Sequence, residues 1–242
     1  TRFRSVDNVM LEIAECRERY GLDYILFQDD TFVLRRDRVL DFCGRLAPMR
    51  IGWACNARAN LVDKQLLKSM ADAGCRKVVY GIESGSQELL DTIEKKTTPE
   101  QVEAAVRASR EAGIETVEGT IIIGSHPSET RDQLMSTLKL IKHLDLDFFN
   151  ADIIVPYPGS PAFELMKNKG MILSENWSGY VPYGTMPQWN TANYGPEDMV
   201  AFQKLFMTRY YLRPVYMLRR LARIRSPRLL AYFLRMALDY FK

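Results

Sequence analysis

The chain has 242 residues, of which 47% are hydrophobic, 11% aromatic and 26% charged. That is enough apolar material for a sizeable core, as one large domain or one domain plus an appendage. The four cysteines, Cys16, Cys43, Cys55 and Cys75, lack metal-knuckle spacing, and no apolar run approaches the roughly 20 residues that span a bilayer. A secreted disulfide framework, a cysteine knuckle and a membrane-spanning helix are therefore excluded, and buried free thiols in a reducing cytoplasm are expected.

In chain order, Ser5 precedes a helical apolar pattern (Val6, Val9, Met10, Ile13) that Gly21 closes. A strand is predicted over 24–27, ending in Gln28, Asp29 and Asp30. A helix over 37–46 follows, then a strand over 51–54 ending in Cys55, Asn56, Ala57 and Arg58. Asp63 caps a third helix that stops at Gly74. Lys77-Val78-Val79-Tyr80 reads as a buried strand that Gly81 breaks, with a polar turn through Ile82, Glu83, Ser84 and Gly85 and an N-cap at Ser86. Pro99 opens a helix ending at Gly113. A strand over 119–123 ends in Gly124, and a helix starts at Ser128 and runs to about 144. A strand over 148–155 is broken by Pro156-Tyr157-Pro158-Gly159, and a short helix over 161–169 stops at Gly170.

Five strands alternating with helices imply an α/β fold with a parallel sheet and buried, non-alternating strands. A doubly wound sheet and a barrel both satisfy the pattern. No glycine-rich dinucleotide fingerprint is present and polar groups end every strand, so a partial barrel fits better.

After Gly170 the character changes. Residues 177–194 are rich in Gly, Pro and aromatics without periodicity, as in a packed loop or lid; Tyr180, Tyr183 and Trp189 from it, together with Tyr157, either line a substrate cavity or simply pack. Pro196 opens a helix to about 211, and two further helices follow, the last over 229–241 apolar on nearly every face. From Ala201 onward there are ten basic residues against one acid, and 23 against 29 in the remainder. That segregation marks the tail as a partner surface. The domain division expected is 1–172 for the barrel and 173–242 for the aromatic loop and basic helices. The last helix either docks on the barrel or lies in a lipid interface.

The strand ends bring acidic, basic, hydroxyl and bare-backbone groups to one rim. A zwitterionic nucleoside ligand would find partners there: carboxylates for an amine, Arg58 for a carboxylate and Glu83 for ribose hydroxyls. The plainer alternatives are a solvated loop carboxylate at Glu83, helix capping by Asp29 and Asp30, and an ordinary surface ion pair at Arg58.

Six motifs occur in register: Asp29-Asp30-Thr31-Phe32, Trp53 to Arg58, Ala73-Gly74-Cys75, Gly81 to Ser86, Gly124 with Pro127, Glu129 and Thr130, and Pro156 to Ser160. Together they resemble the radical S-adenosylmethionine (SAM) enzymes, in particular the cobalamin-binding branch that includes anaerobic Mg-protoporphyrin ester cyclases. The resemblance covers about residues 1–170, and Arg209 to Pro214 also looks like the C-terminal region of that branch. It implies a partial (β/α)6 TIM-like barrel and reductive cleavage of SAM by a 4Fe–4S cluster to a 5′-deoxyadenosyl radical. Carried over by position, Gln28, Asp29 and Asp30 would meet the methionine amine. Glu83 and Ser84 would serve the ribose, Arg58 the carboxylate. Ile123, Gly124, Pro156 and Tyr157 would flank the adenine. Cobalamin is a further cofactor of the branch. The implied partners are a small-molecule or lipid-like substrate and an electron donor such as flavodoxin or ferredoxin, with no nucleic acid and with peripheral membrane contact through the basic helices.

One departure is large: the family's CxxxCxxC cluster loop is absent. The expectation is a fragment that lacks its first strand and that loop, a degenerate homologue being the alternative. His126, before Pro127, stands where the family usually has an apolar residue and is expected to be a loop histidine. Two other readings compete with a radical enzyme. One is a Mg²⁺-dependent lyase or hydrolase using Asp29, Asp30 and Glu83, and the other is a non-catalytic interaction module.

Overall fold

In the computed structural model, which describes residues 2–181, 186–223 and 235, Ser5 caps helix α1 (Val6–Tyr20) through its side chain, and Gly21 closes it in the left-handed region at φ 66°. Strands β1 (Tyr24–Phe27), β2 (Gly52–Ala57), β3 (Cys75–Glu83), β4 (Thr116–Ile123) and β5 (Phe148–Ile153) form one sheet in the order β1-β2-β3-β4-β5, every pair parallel. Between them run α2 (Arg36–Leu46), α3 (Lys64–Asp72), α4 (Gln87–Thr92), α5 (Pro99–Glu111) and α6 (Arg131–His143). After β5 come α7 (Pro161–Asn168), α8 (Pro196–Tyr211) and α9 (Pro214–Arg223).

The local chemistry at most helix starts is the expected one. Asp63 and Ser86 accept from the amides of Leu66 and Leu89, and Thr98 forms a capping box with Gln101. Two boundaries differ. The helix expected from Ser128 begins at Arg131, because Thr130 with Gln133 makes a complete capping box and Ser128 instead turns back onto His126 Nδ1 at 2.7 Å. Gly81 does not end its strand; β3 runs on to Glu83, with a register shift between Gly81 and Glu83.

The strands are also not buried on both faces. Trp53, Cys55, Val78, Tyr80, Val117, Ile121, Phe149 and Ile153 are buried, whereas their neighbours Asn56, Lys77, Val79, Glu118, Thr120, Asn150 and Asp152 are more accessible. The register places the second set on one face. The buried face meets the helices. Phe27, Phe32, Phe42 and Trp53 stack with centroids 4.5–5.8 Å apart, and the Tyr80 hydroxyl lies 2.8 Å from Ser109 Oγ of α5. The more open face carries a polar row in which Glu118 pairs with Lys77 and accepts from Asn150 Nδ2 at 3.1 Å. Burying polar groups on both faces would leave them unpaired, so a mixed sheet face is expected to keep access to solvent or ligand.

The chain divides into two compact units, 1–203 and 204–242. In the second, Tyr210, Tyr211 and Tyr216 pack ring to ring at 5.2–5.3 Å, with the Arg213 guanidinium 4.0 Å above the Tyr210 ring. The helix expected over 229–241 lies outside the described residues except for Arg235, as does Tyr183 in the aromatic stretch. Among the described residues no helix is long and apolar enough to cross a membrane.

Candidate functional site

Five parallel neighbouring strands deliver their carboxyl ends to one edge of the sheet, so the segments after Phe27, Ala57, Glu83, Ile123 and Ile153 share that edge. Gln28, Asp29 and Asp30 are exposed there. Gln28 and Asp29 also border a cleft of about 610 Å³ along β1, between Phe3, Ile13 and Phe42. The Asp29 carbonyl accepts from Asn56 Nδ2 at 3.2 Å, which ties the β1 end to β2.

A second group forms around Glu83. Its backbone takes φ 62°, and the Ser84 amide bonds to the Ile82 carbonyl at 2.8 Å, a tight γ-turn centred on Glu83. A non-glycine residue held at positive φ costs on the order of 1–3 kcal/mol. The turn aims the carboxylate back over Gly81, where Oε1 meets Lys95 Nζ at 2.5 Å. A methyl group on Gly81 would sit 2.6 Å from that oxygen and 2.9 Å from that nitrogen, so the glycine makes room for an ion pair rather than a turn. The pair is only 15% and 18% exposed. Arg58 joins it by donating from Nη2 to the Lys95 carbonyl, while its buried Nε has no hydrogen-bond partner. Lys95 thus pairs with the carboxylate through its ammonium and with Arg58 through its carbonyl, and the free Nε of Arg58 can still donate to an anionic or hydroxyl group.

Ser84 and Gly85 face elsewhere. Ser84 is fully buried, its Oγ 3.1 Å from Thr137 Oγ1 of α6 and accepting from the Ser86 amide at 3.1 Å. The Gly85 amide donates to Thr137 Oγ1 at 2.8 Å, and a Cβ there would lie 2.7 Å from the Ser136 carbonyl. The absence of a side chain at Gly85 thus admits the backbone of α6.

The third group lies past β4. Gly124 takes φ 76°, and its amide donates to Oε2 of Glu129, which also accepts the Tyr194 hydroxyl. Glu129 is completely buried. Burial pushes its carboxyl up to about 7, against the pull of the Tyr194 hydroxyl and the amides of Gly124 and Ser125. The Ile154 amide bonds to Ile123 O at 2.9 Å, so the ends of β4 and β5 stay joined. Pro156 is buried just beyond, and Tyr157 is exposed. His126 is a loop residue whose pKa is lowered by burial and then by Lys169.

The structure thus gathers Arg58 with Glu83, and Ile123 with Gly124, while Ser84 points into α6. Sequence reasoning missed Lys95, Glu129 and Tyr194 as members. Glu129 lay inside a motif already noted, but no local signal marks the other two.

Among the described residues no three of Cys, His, Asp and Glu come together as metal ligands. Cys43, Cys55 and Cys75 are buried in the packed side of the sheet, and burial pushes the Cys43 thiol up to about 12. The Cys55 thiol is raised by its hydrogen bond to Cys75 and then by burial. Thiols buried in the packed core, two of them with raised pKa, do not fit a 4Fe–4S cluster, which requires thiolates.

Residues 1–141 match the family model described as the radical SAM superfamily. The chain is 33% identical over 215 residues to an uncharacterised methyltransferase of Pyrococcus horikoshii, covering 88% of this chain and 46% of that protein. It is 26% identical over 217 residues to the anaerobic magnesium-protoporphyrin IX monomethyl ester cyclase of Rubrivivax gelatinosus, covering 88% of this chain and 39% of that one. Among solved structures, a radical S-adenosylmethionine methyltransferase from Kitasatospora setae, with cobalamin and a 4Fe–4S cluster bound, superposes with a TM-score of 0.60. The identity is 20%, over 81% of this chain and 40% of that one. The chain therefore spans less than half the length of these relatives.

Proposed function

The chain belongs to the radical SAM superfamily, within the range of its cobalamin-binding branch, and from that premise we propose that it is the SAM-binding and substrate-binding part of such an enzyme. The observation that carries this is the shared edge of the parallel sheet, where the Glu83 carboxylate and the Gly124 backbone stand at the ends of adjacent strands. Glu83, with Lys95 and Arg58 beside it, would bind the ribose hydroxyls and the methionine carboxylate. Ile123, Gly124, Pro156 and Tyr157 would form the apolar and backbone wall beside the adenine, and Gln28, Asp29 and Asp30 the side facing the amine. The sheet would be the larger part of a partial (β/α)6 barrel, with its more open face inward.

SAM cleaved reductively supplies a 5′-deoxyadenosyl radical; this chain's residues bind and orient it. The superfamily's cluster is not held by the cysteines present, so we place its ligands, and any cobalamin, outside these residues. The open sheet face alternates Glu118, Thr120 and Asn150 with Val79 and Ile122, which supports a small-molecule substrate with both polar and apolar parts. A flavodoxin or ferredoxin would be the electron donor.

Isothermal calorimetry tests the reading. SAM should bind the wild-type chain, and Glu83→Ala should weaken binding at least about tenfold, the worth of one charge-assisted hydrogen bond. Binding of Mg²⁺ that is lost with Asp29→Ala, in place of SAM, would favour a lyase or hydrolase.

In the C-terminal unit, α9 leaves Val215 and Leu218 exposed by 61% and 66%, one turn apart, with the basic Arg219 beside them on the next position. A basic amphipathic helix of this kind supports contact with an anionic lipid surface. Sedimentation with anionic vesicles should fall when the chain ends at Arg213, and retention of binding would dismiss the contact.

A further inference from the structure

The end of the aromatic stretch is fastened to the turn after β4. The Ala192 amide donates to Pro127 O at 2.8 Å, and Asn193 Nδ2 donates to the carbonyls of Ser128 and Glu129 at 3.1 and 3.0 Å. Thr191 closes the stretch on itself: its amide donates to Tyr194 O at 3.0 Å and its Oγ1 accepts from the Tyr194 amide at 3.1 Å. Tyr194, 5% exposed and packed edge-on against Phe202 at 5.7 Å, then reaches inward to Glu129 Oε2. That oxygen also holds the Gly124 amide.

We propose that Tyr194 is a positioning residue for the nucleoside site: by donating to Glu129 it fixes the carboxyl that fixes the Gly124 backbone. Glu129 is buried away from solvent, so its Oε2 depends on the donors around it, and its Oε1 has no hydrogen-bond partner. With Tyr194 gone, the carboxyl would turn toward another donor or toward solvent, and the Gly124 amide would lose its acceptor. Because Gly124 leaves the ladder at positive φ, no strand partner holds that amide in its place. The aromatic stretch, far along the chain, would thereby set one wall of the site. The role assigned to Tyr194 rests on reading Gly124 as part of the SAM site, whereas the latch itself does not.

Hydrogen exchange and SAM calorimetry on the 242-residue chain separate the two. Tyr194→Phe should speed exchange of the Gly124 amide by about tenfold while the Cys55 amide in β2 is unchanged, and should weaken SAM binding by a similar factor. Asn193→Ala, at an exposed position where folding is not at risk, should give the same pattern at about threefold. Unchanged Gly124 exchange, or equal acceleration at Cys55, would overturn the latch. Faster Gly124 exchange with unaltered SAM affinity would overturn the positioning role alone. A wild-type chain that binds no SAM would overturn the reading of the site, and with it the role given to Tyr194.

Discussion

Lys95 Nζ lies 2.5 Å from Glu83 Oε1, and Glu83 is held at φ 62° to make that contact. Strain is spent to aim the carboxylate, and the cation that receives it comes from the loop after α4 rather than from a strand. Both groups are mostly buried, so each depends on the other. Lys95→Met and Glu83→Gln should each cost about 2 kcal/mol, and the double change should cost clearly less than their sum. Urea unfolding of the four proteins gives the coupling, and strict additivity would mean that the pair is not formed.

Gly81 and Gly85 differ in what a side chain would meet. On Gly81, a methyl would press on the mobile ends of Glu83 and Lys95. Gly81→Ala should therefore cost no more than about 1 kcal/mol of stability while displacing the carboxylate and lowering SAM affinity. On Gly85, the same methyl would meet the backbone of Ser136 and Thr137 at 2.7 Å. Gly85→Ala should cost about 3 kcal/mol or more, because a helix must move. Thermal melts of the two variants check the order.

Ser84→Ala should lower stability by about 1–2 kcal/mol, because it leaves the buried Thr137 hydroxyl and the Ser86 amide each short of a partner. The SAM affinity of that variant, measured well below its melting temperature, reads whether the Ser84 hydroxyl also serves the ribose. An unchanged affinity would restrict it to holding the turn on α6.

The Glu129 carboxyl sits at about 7 in the fold, against an ordinary 4.5, chiefly because it is buried. The native state thus keeps a proton that the unfolded chain has already lost between those values. Stability is then fully present at acid pH and falls as pH rises through about 7, by up to roughly 3 kcal/mol. Denaturant unfolding at about pH 5 and about pH 8 should show that decline, and Glu129→Gln should flatten it. A wild-type chain equally stable at both would mean the carboxyl is ionised throughout.

Much of the architecture was legible in the sequence because it is set locally. Ser5, Asp63, Ser86 and Ser160 each satisfy an amide within three residues, and Gly21 takes the left-handed conformation that ends a helix. The alternation of these helices with apolar runs leaves a parallel sheet as the economical solution, and parallel strands put their polar ends on one edge. The family was readable for the same reason, since its motifs lie in those ends.

The sheet's two unequal faces, the purpose of Gly81 and Gly85, and the membership of Lys95, Glu129 and Tyr194 were decided only in three dimensions. Tyr194 meets Glu129 from 65 positions further along the chain, and Lys95 meets Glu83 only because a positive-φ turn swings the carboxylate over a missing side chain. Short-range sequence patterns encode capping and periodicity. They do not encode which buried donor will answer a buried carboxylate, because that is settled by whichever distant segment the packed core leaves beside it.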